Sequence, residues 1–401
     1  MSENSLKYNL ISNVLDTVED KNELENIIKM LNFHMSKTLY KCLSISFQIR
    51  KSVHDITMIE IESILDYIDD LINIGHWSEI SIDLRRAYSI ASFVKMVLML
   101  QFHENLNLKY LRKALQCIDK GLLLGAPLEN NSNILTKSAT LISRYISEHL
   151  KINMHSITCN KTITDASEKK KCNQFQYLFD RIQAEEVDTV SLPSIELFNN
   201  IYFSSQRPVK LRGCIDHWPA LKKWNNVDYI LDTAGDRTVP VEIGTQYVDE
   251  NWSQKLMTVR EFVENYYVTE EGSIGYLAQH NLFDQIPELR SDIYIPEYCS
   301  LSRDYDNSCD PDINCWFGPA GTVSSLHYDP KNNLLAQVYG IKQVLLFAPH
   351  DTQNLYPIPR YRLTPDIFGD TFESKARDDE EVQVVEEMET NFKEESSEDE
   401  D

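Results

Sequence analysis

The chain has 401 residues, 42% hydrophobic and 10% aromatic, enough for two domains of ordinary size with their own buried cores. Only 12 glycines argue against a fibrous chain, and no window reaches the roughly 18 apolar residues that a membrane span needs. A formal charge of −23 disfavours direct contact with nucleic-acid phosphates and favours basic partners such as Lys/Arg-rich peptides.

The opening residues, MSENSLKYN, lack the basic-then-apolar layout of a signal peptide, so a soluble intracellular protein is expected. Residues 1–150 read as helical. Ile61, Ile64, Leu65, Ile68, Leu71 and Ile72 recur at three- and four-residue steps and line one helix face, with Gly75 as a stop signal. Tyr110, Leu111, Ala114, Leu115 and Ile118 repeat the pattern, ending near Gly121 and Gly125. Ile90 to Leu100 is apolar nearly all round and belongs inside the bundle. No residue type with obvious chemistry stands out here, so this half reads as a scaffold or docking module.

Residues 151–177 are polar and weakly patterned, a linker that carries the short basic run Lys169 to Lys171. After Leu192 the period changes to two. Val209 and Leu211 alternate with charged neighbours, as do Val239, Val241 and Ile243 with Pro240 and Glu242. Residues 274–278, 313–317, 334–338 and 343–347 add further strands, the last two joined by a tight hairpin at Tyr339-Gly340. Helices are expected at 258–266 and 283–289. The fold class is therefore α+β, a helical domain followed by a barrel or double-sheet jelly roll over residues 178–357. From about residue 358 periodicity is lost, and 378–401 holds thirteen acidic residues against Lys393, a disordered acidic tail. The eight cysteines are scattered without a CxxC pair and read as reduced thiols in or near cores.

The sharpest chemical signal is His327-Tyr328-Asp329. In a strand, positions i and i+2 share a face, so imidazole and carboxylate converge as two ligands of a facial Fe(II) site. Alone the tripeptide is weak, since 10 His and 62 acidic residues supply about 1.5 such pairs by chance. Context strengthens it. Lys342, on the next expected strand, offers a buried ammonium to a dicarboxylate, and Tyr276, Ser324 and Asn333 offer neutral hydrogen bonds.

Four segments, RPVKLRGCIDHWPALKKW (207–224), RTVPVEIGTQYVDENWSQKLMTVREF (237–262), GYLAQHNLFDQIPEL (275–289) and NCWFGPAGTVSSLHYDPKNNLLAQVYGIKQVLLFAP (314–349), closely resemble jumonji-C oxygenases. The likeness covers about residues 175–357. It implies a cupin-like double-stranded β-helix holding Fe(II) and 2-oxoglutarate. By resemblance His327 and Asp329 match iron ligands, and Lys342 matches the partner of the co-substrate carboxylate. Tyr276, Ser324 and Asn333 match further co-substrate contacts, while Gln279 and Trp316 line the pocket. The implied activity is hydroxylation of a protein arginine or demethylation of an N-methyl-lysine in the nucleus, with histones or other basic proteins as partners and neither nucleic acid nor membrane.

The chain also departs from the family. The expected third iron ligand is a late-strand histidine, yet no histidine follows His350. His350 lies eight residues beyond Lys342, roughly 26 Å along an extended strand, too far to serve the same iron. His217 and His280 lie where the family places no ligand, and His280 is expected to make a local polar contact. An incomplete β-helix follows, read as a shortened or alternatively spliced oxygenase in preference to a non-catalytic relative. The rival reading is a binding module in which the helical half and acidic tail engage a basic partner.

Overall fold

The computed structural model describes residues 3–49, 53–74, 79–150, 184–244, 253–268, 274–301, 311–329 and 331–357. The expected linker and acidic tail lie outside them. One compact unit takes in the chain up to Ile74 and Ile80–Gly340, and a second contains the residues from Ile341 onward.

Seven helices open the first unit: α1 (Glu3–Leu15), α2 (Lys21–Met30), α3 (Phe33–Ser46), α4 (Asp55–Ile72), α5 (Ile82–Phe102), α6 (Leu108–Leu124) and α7 (Ile134–His149). Side-chain caps set several starts. Asp20, Asn32, Ser81 and Asn107 accept backbone N–H groups at the heads of α2, α3, α5 and α6. The apolar stripe expected on α4 is real, with Ile61, Ile64, Leu65 and Ile68 buried.

The middle helix, α5, is buried from Ala87 to Gln101 apart from Lys95, whose ammonium reaches Glu62 on α4 at 3.2 Å. Each large apolar side chain taken wholly from water stabilises the bundle by about 1.5–3 kcal/mol. α6 ends against Gly125, its C-cap, as expected, while Gly121 lies inside it. A Cβ there would stand 2.7 Å from that of Ser92, so glycine lets α6 approach α5.

The sheet region has a separate core. β3 (Thr238–Ile243) buries Val239, Val241 and Ile243 against Phe262, Val263, Leu282, Ile286 and Leu289. It pairs antiparallel with β4 (Ser253–Thr258), in register from Thr238↔Thr258 to Ile243↔Ser253. On its other side β5 (Gly275–His280) pairs at Glu242↔Tyr276 and Ile243↔Gly275. Then β6 (Cys315–Phe317) adds to β5, giving the order β4-β3-β5-β6. β1 (Thr189–Ser191) and β2 (Lys210–Arg212) form a small parallel pair.

Short helices at Val259–Phe262, Leu282–Gln285 and Pro287–Arg290 pack with the sheet, broadly where 258–266 and 283–289 were expected to be helical, and a further one at Val227–Ala234 was not expected. Thr258 and Glu261 make a reciprocal capping box at the first of these. Asp292, fully buried, ties this layer together: Lys223 Nζ donates at 2.6 Å, Trp224 Nε1 at 3.0 Å and the Tyr229 hydroxyl at 2.5 Å. Burial alone would push the Asp292 carboxyl up. The three donors, with the Lys223 charge, outweigh it and hold the group below the ordinary carboxylate range.

The late strands differ from expectation. Residues 334–338 and 343–347 are irregular, and only Cys315–Phe317 of the expected 313–317 strand is extended in a ladder. Tyr339-Gly340 is a bend, with Gly340 at φ +75°, but it joins no hairpin. Alternating apolar residues express β propensity, while a strand also needs a partner for its backbone groups. Neither segment belongs to a sheet among the described residues, and Leu334, Leu335, Val344, Leu346 and Phe347 remain exposed.

Five described cysteines (Cys42, Cys117, Cys214, Cys299 and Cys315) are free thiols. Burial pushes Cys42 and Cys315 up to about 12, so neither is a thiolate. No described helix is long and apolar enough to cross a membrane.

Candidate metal and co-substrate site

The chain leaves β6 through Gly318, where a Cβ would come within 2.8 Å of both the Tyr276 ring and Thr322. That close passage brings Thr322 and Ser324 back to Tyr276 on β5. Tyr276, on β5, is buried and shares a hydrogen bond with Ser324. Burial raises its hydroxyl to about 12 despite the Ser324 contact, so it stays a neutral donor.

Beyond Ser324, His327 and Asp329 face each other with Nε2 and Oδ1 3.9 Å apart. They meet without the strand the spacing argument assumed, for residues 322–329 form no ladder. Backbone and neighbours orient them instead. His327 Nδ1 lies 2.6 Å from the Ser325 carbonyl, an acceptor only, so Nδ1–H donates to it and Nε2 is left facing Asp329. Asn333 Nδ2 donates to Asp329 Oδ2 at 2.8 Å, leaving Oδ1 toward the imidazole. A ring nitrogen tied to a carbonyl and a carboxylate steadied by an amide are the supports that metal-binding His and Asp ordinarily have.

This donor set fits two corners of a facial Fe(II) site. Metal bonds of about 2.1 Å at right angles put two donor atoms about 3 Å apart, a small rotation from the distance seen. Among the described residues no group of three or more His, Cys, Asp or Glu gathers to hold a metal. The pair is also open to solvent, with side chains 42% and 45% exposed.

Asn333 is engaged with Asp329 through its amide nitrogen. Trp316 sits on β6, 41% exposed. Gln279 is exposed at φ +47°, a left-handed conformation unusual for glutamine, where the β5–β6 register shifts between Leu277 and His280. Lys342 is neither on a strand nor enclosed: its side chain is exposed, though enough atoms surround the ammonium for desolvation to lower its pKa. His350 lies in a 3₁₀ turn (Pro349–Leu355) and does not continue a strand, with Nε2 3.9 Å from Asp351 Oδ1. His280 makes the local polar contact expected of it, Nε2 to Gln285 Oε1 at 2.7 Å.

Sequence reasoning did not find the Ser325 carbonyl, because a backbone group leaves no residue signature. It also passed over Asp119 and Gln285, which meet across 166 residues of chain.

A family model described as a cupin-like domain matches residues 195–395. The chain is also 38% identical over 328 residues to lysine-specific demethylase 8 of Danio rerio, a match covering 80% of this chain and 77% of that protein. The chain belongs to the cupin-like jumonji-C family. A second jumonji-C relative, lysine-specific demethylase 8 of Xenopus tropicalis, is 37% identical over 74% of this chain and 73% of its own. Jumonji C domain-containing protein 5 of Drosophila melanogaster is 48% identical over 176 residues, 43% of this chain and 44% of that protein. The cupin-like match takes in the four-stranded sheet and the His327–Asp329 pair.

Proposed function

We propose that the chain is an Fe(II)- and 2-oxoglutarate-dependent protein oxygenase acting on a basic side chain, its sheet forming part of a double-stranded β-helix. The observation that carries the reading is the orientation of His327 and Asp329, each turned toward the other by a separate hydrogen bond. When bound, iron and 2-oxoglutarate supply oxygen activation for attack on a C–H bond. His327 Nε2 and Asp329 Oδ1 would hold the metal. The Tyr276 and Ser324 hydroxyls, already in contact, serve a co-substrate carboxylate, and Trp316 and Gln279 flank the target. Lys342 is the candidate cation for the diacid on sequence grounds alone.

The −23 net charge suits a basic protein substrate, and the demethylase names of the relatives favour N-methyl-lysine over arginine. Histones are the natural candidates, with the nucleus as the place of action. Full-length protein supplied with Fe(II), ascorbate, 2-oxoglutarate and a methyl-lysine or arginine histone peptide should release succinate, and Asp329→Ala should abolish the release. Succinate no higher than in the variant overturns the proposal.

A further inference from the structure

Asp119 lies on α6, outside the sheet, and is fully buried. Its carboxylate is the hub of a network reaching across to the sheet region. Arg237 donates to it from Nε at 3.0 Å and from Nη2 at 2.7 Å, the Thr238 N–H at 2.7 Å, and Gln285 Nε2 at 2.8 Å. Arg237 and Gln285 are themselves only 2% and 4% exposed. Two turns earlier on the same helix, Arg112 reaches Asp236 at 2.9 Å, so α6 grips the turn before β3 at two points.

The network runs on to the candidate site. The Gln285 amide nitrogen gives its two protons to Asp119 Oδ1 and to the Thr238 carbonyl, both at 2.8 Å. Its Oε1, left as the acceptor, faces His280 Nε2, which must therefore carry the imidazole proton. Burial holds His280 below the ordinary histidine range, and the ring is neutral near pH 7. His280 closes β5 directly after the left-handed Gln279, at the register shift against β6. A left-handed non-glycine residue is strained and persists only where its surroundings hold it.

We propose that Asp119 is a positioning residue for the jumonji-C site: through Gln285 it fixes His280 as the Nε2–H tautomer and pins the Gln279 bulge, which sets the lie of the strand bearing Tyr276. The helical half is then part of the working site and not only a docking module. The link to co-substrate binding rests on the proposed function; the tautomer and the pinned bulge do not.

The test uses the full chain. Imidazole nitrogen NMR of wild-type protein should show His280 as a single Nε2–H tautomer. Gln285→Met, which spares the Asp119–Arg237 ion pair, should release that preference. It should also speed amide exchange across Gly275–His280 about tenfold, the equivalent of one neutral hydrogen bond. On Mn(II)-loaded protein it should weaken 2-oxoglutarate binding by a similar factor. An Nδ1–H or averaged His280 in the wild type, or unchanged exchange in a folded Gln285→Met, overturns the proposal. Should the variant fail to fold, the wild-type tautomer alone decides. Wild-type protein with an ordered His280 but no 2-oxoglutarate binding would defeat the oxygenase reading and leave the network standing.

Discussion

Replacing Asp119 with alanine would leave the Arg237 guanidinium buried without a counter-charge. The carboxylate accepts five hydrogen bonds from three residues, and neither it nor Arg237 is more than 2% exposed. Breaking a buried pair by removing one partner costs about 3–5 kcal/mol, because the remaining charge keeps its desolvation penalty. Domains are stable by about 5–15 kcal/mol, so this single change should consume a large fraction of the total. Urea unfolding followed by the fluorescence of Trp218 and Trp224, both in the sheet region, should show a midpoint far below wild type. Asp119→Leu combined with Arg237→Met should recover part of the loss, since an apolar pair avoids the desolvation cost of a lone charge while the Thr238 N–H and the Gln285 amide still lose their acceptor. If Asp119→Ala costs less than about 1 kcal/mol, or the double variant is no better than either single one, the pair does not join helices to sheet as described.

Two further outcomes follow from particular side chains. Asp292 has its folded pKa depressed below the unfolded value, so the stability it contributes is fully present above the ordinary carboxylate range and is lost as pH falls through the folded pKa. Asp292→Asn should therefore flatten the acid limb of a stability-versus-pH curve measured by urea unfolding, and an unchanged limb refutes the assignment. Gln279→Gly should relieve the φ +47° conformation, holding stability level or raising it by about 1 kcal/mol in thermal unfolding, while succinate release falls. Loss of stability in that variant would mean that the glutamine side chain, and not the backbone, matters there.

Much of the helical half is legible because burial in a helix repeats every three to four residues. Ile61, Ile64, Leu65 and Ile68 on α4 and Leu111, Ala114, Leu115 and Ile118 on α6 announce themselves. The alternation of Val239, Val241 and Ile243 marks β3 for the same reason at period two. β4 is missed because, as an edge strand, it has largely exposed side chains and carries no apolar alternation to detect. Residues 334–338 and 343–347 mislead in the opposite direction, having strand composition without membership of a sheet. At the site, the His327–Asp329 spacing is visible in the sequence. The Ser325 carbonyl that orients the imidazole and the Asp119–Gln285–His280 relay are three-dimensional facts with no local pattern.

The proposed oxygenase requires that His327 and Asp329 hold a metal beside Tyr276 and Ser324. The direct measurement is anaerobic calorimetric titration of Fe(II), followed by 2-oxoglutarate, into the full-length chain and into Asp329→Ala. The wild type should take up one iron and then bind the diacid, while the variant does neither. Equal binding by both proteins, or none by the wild type, would contradict it.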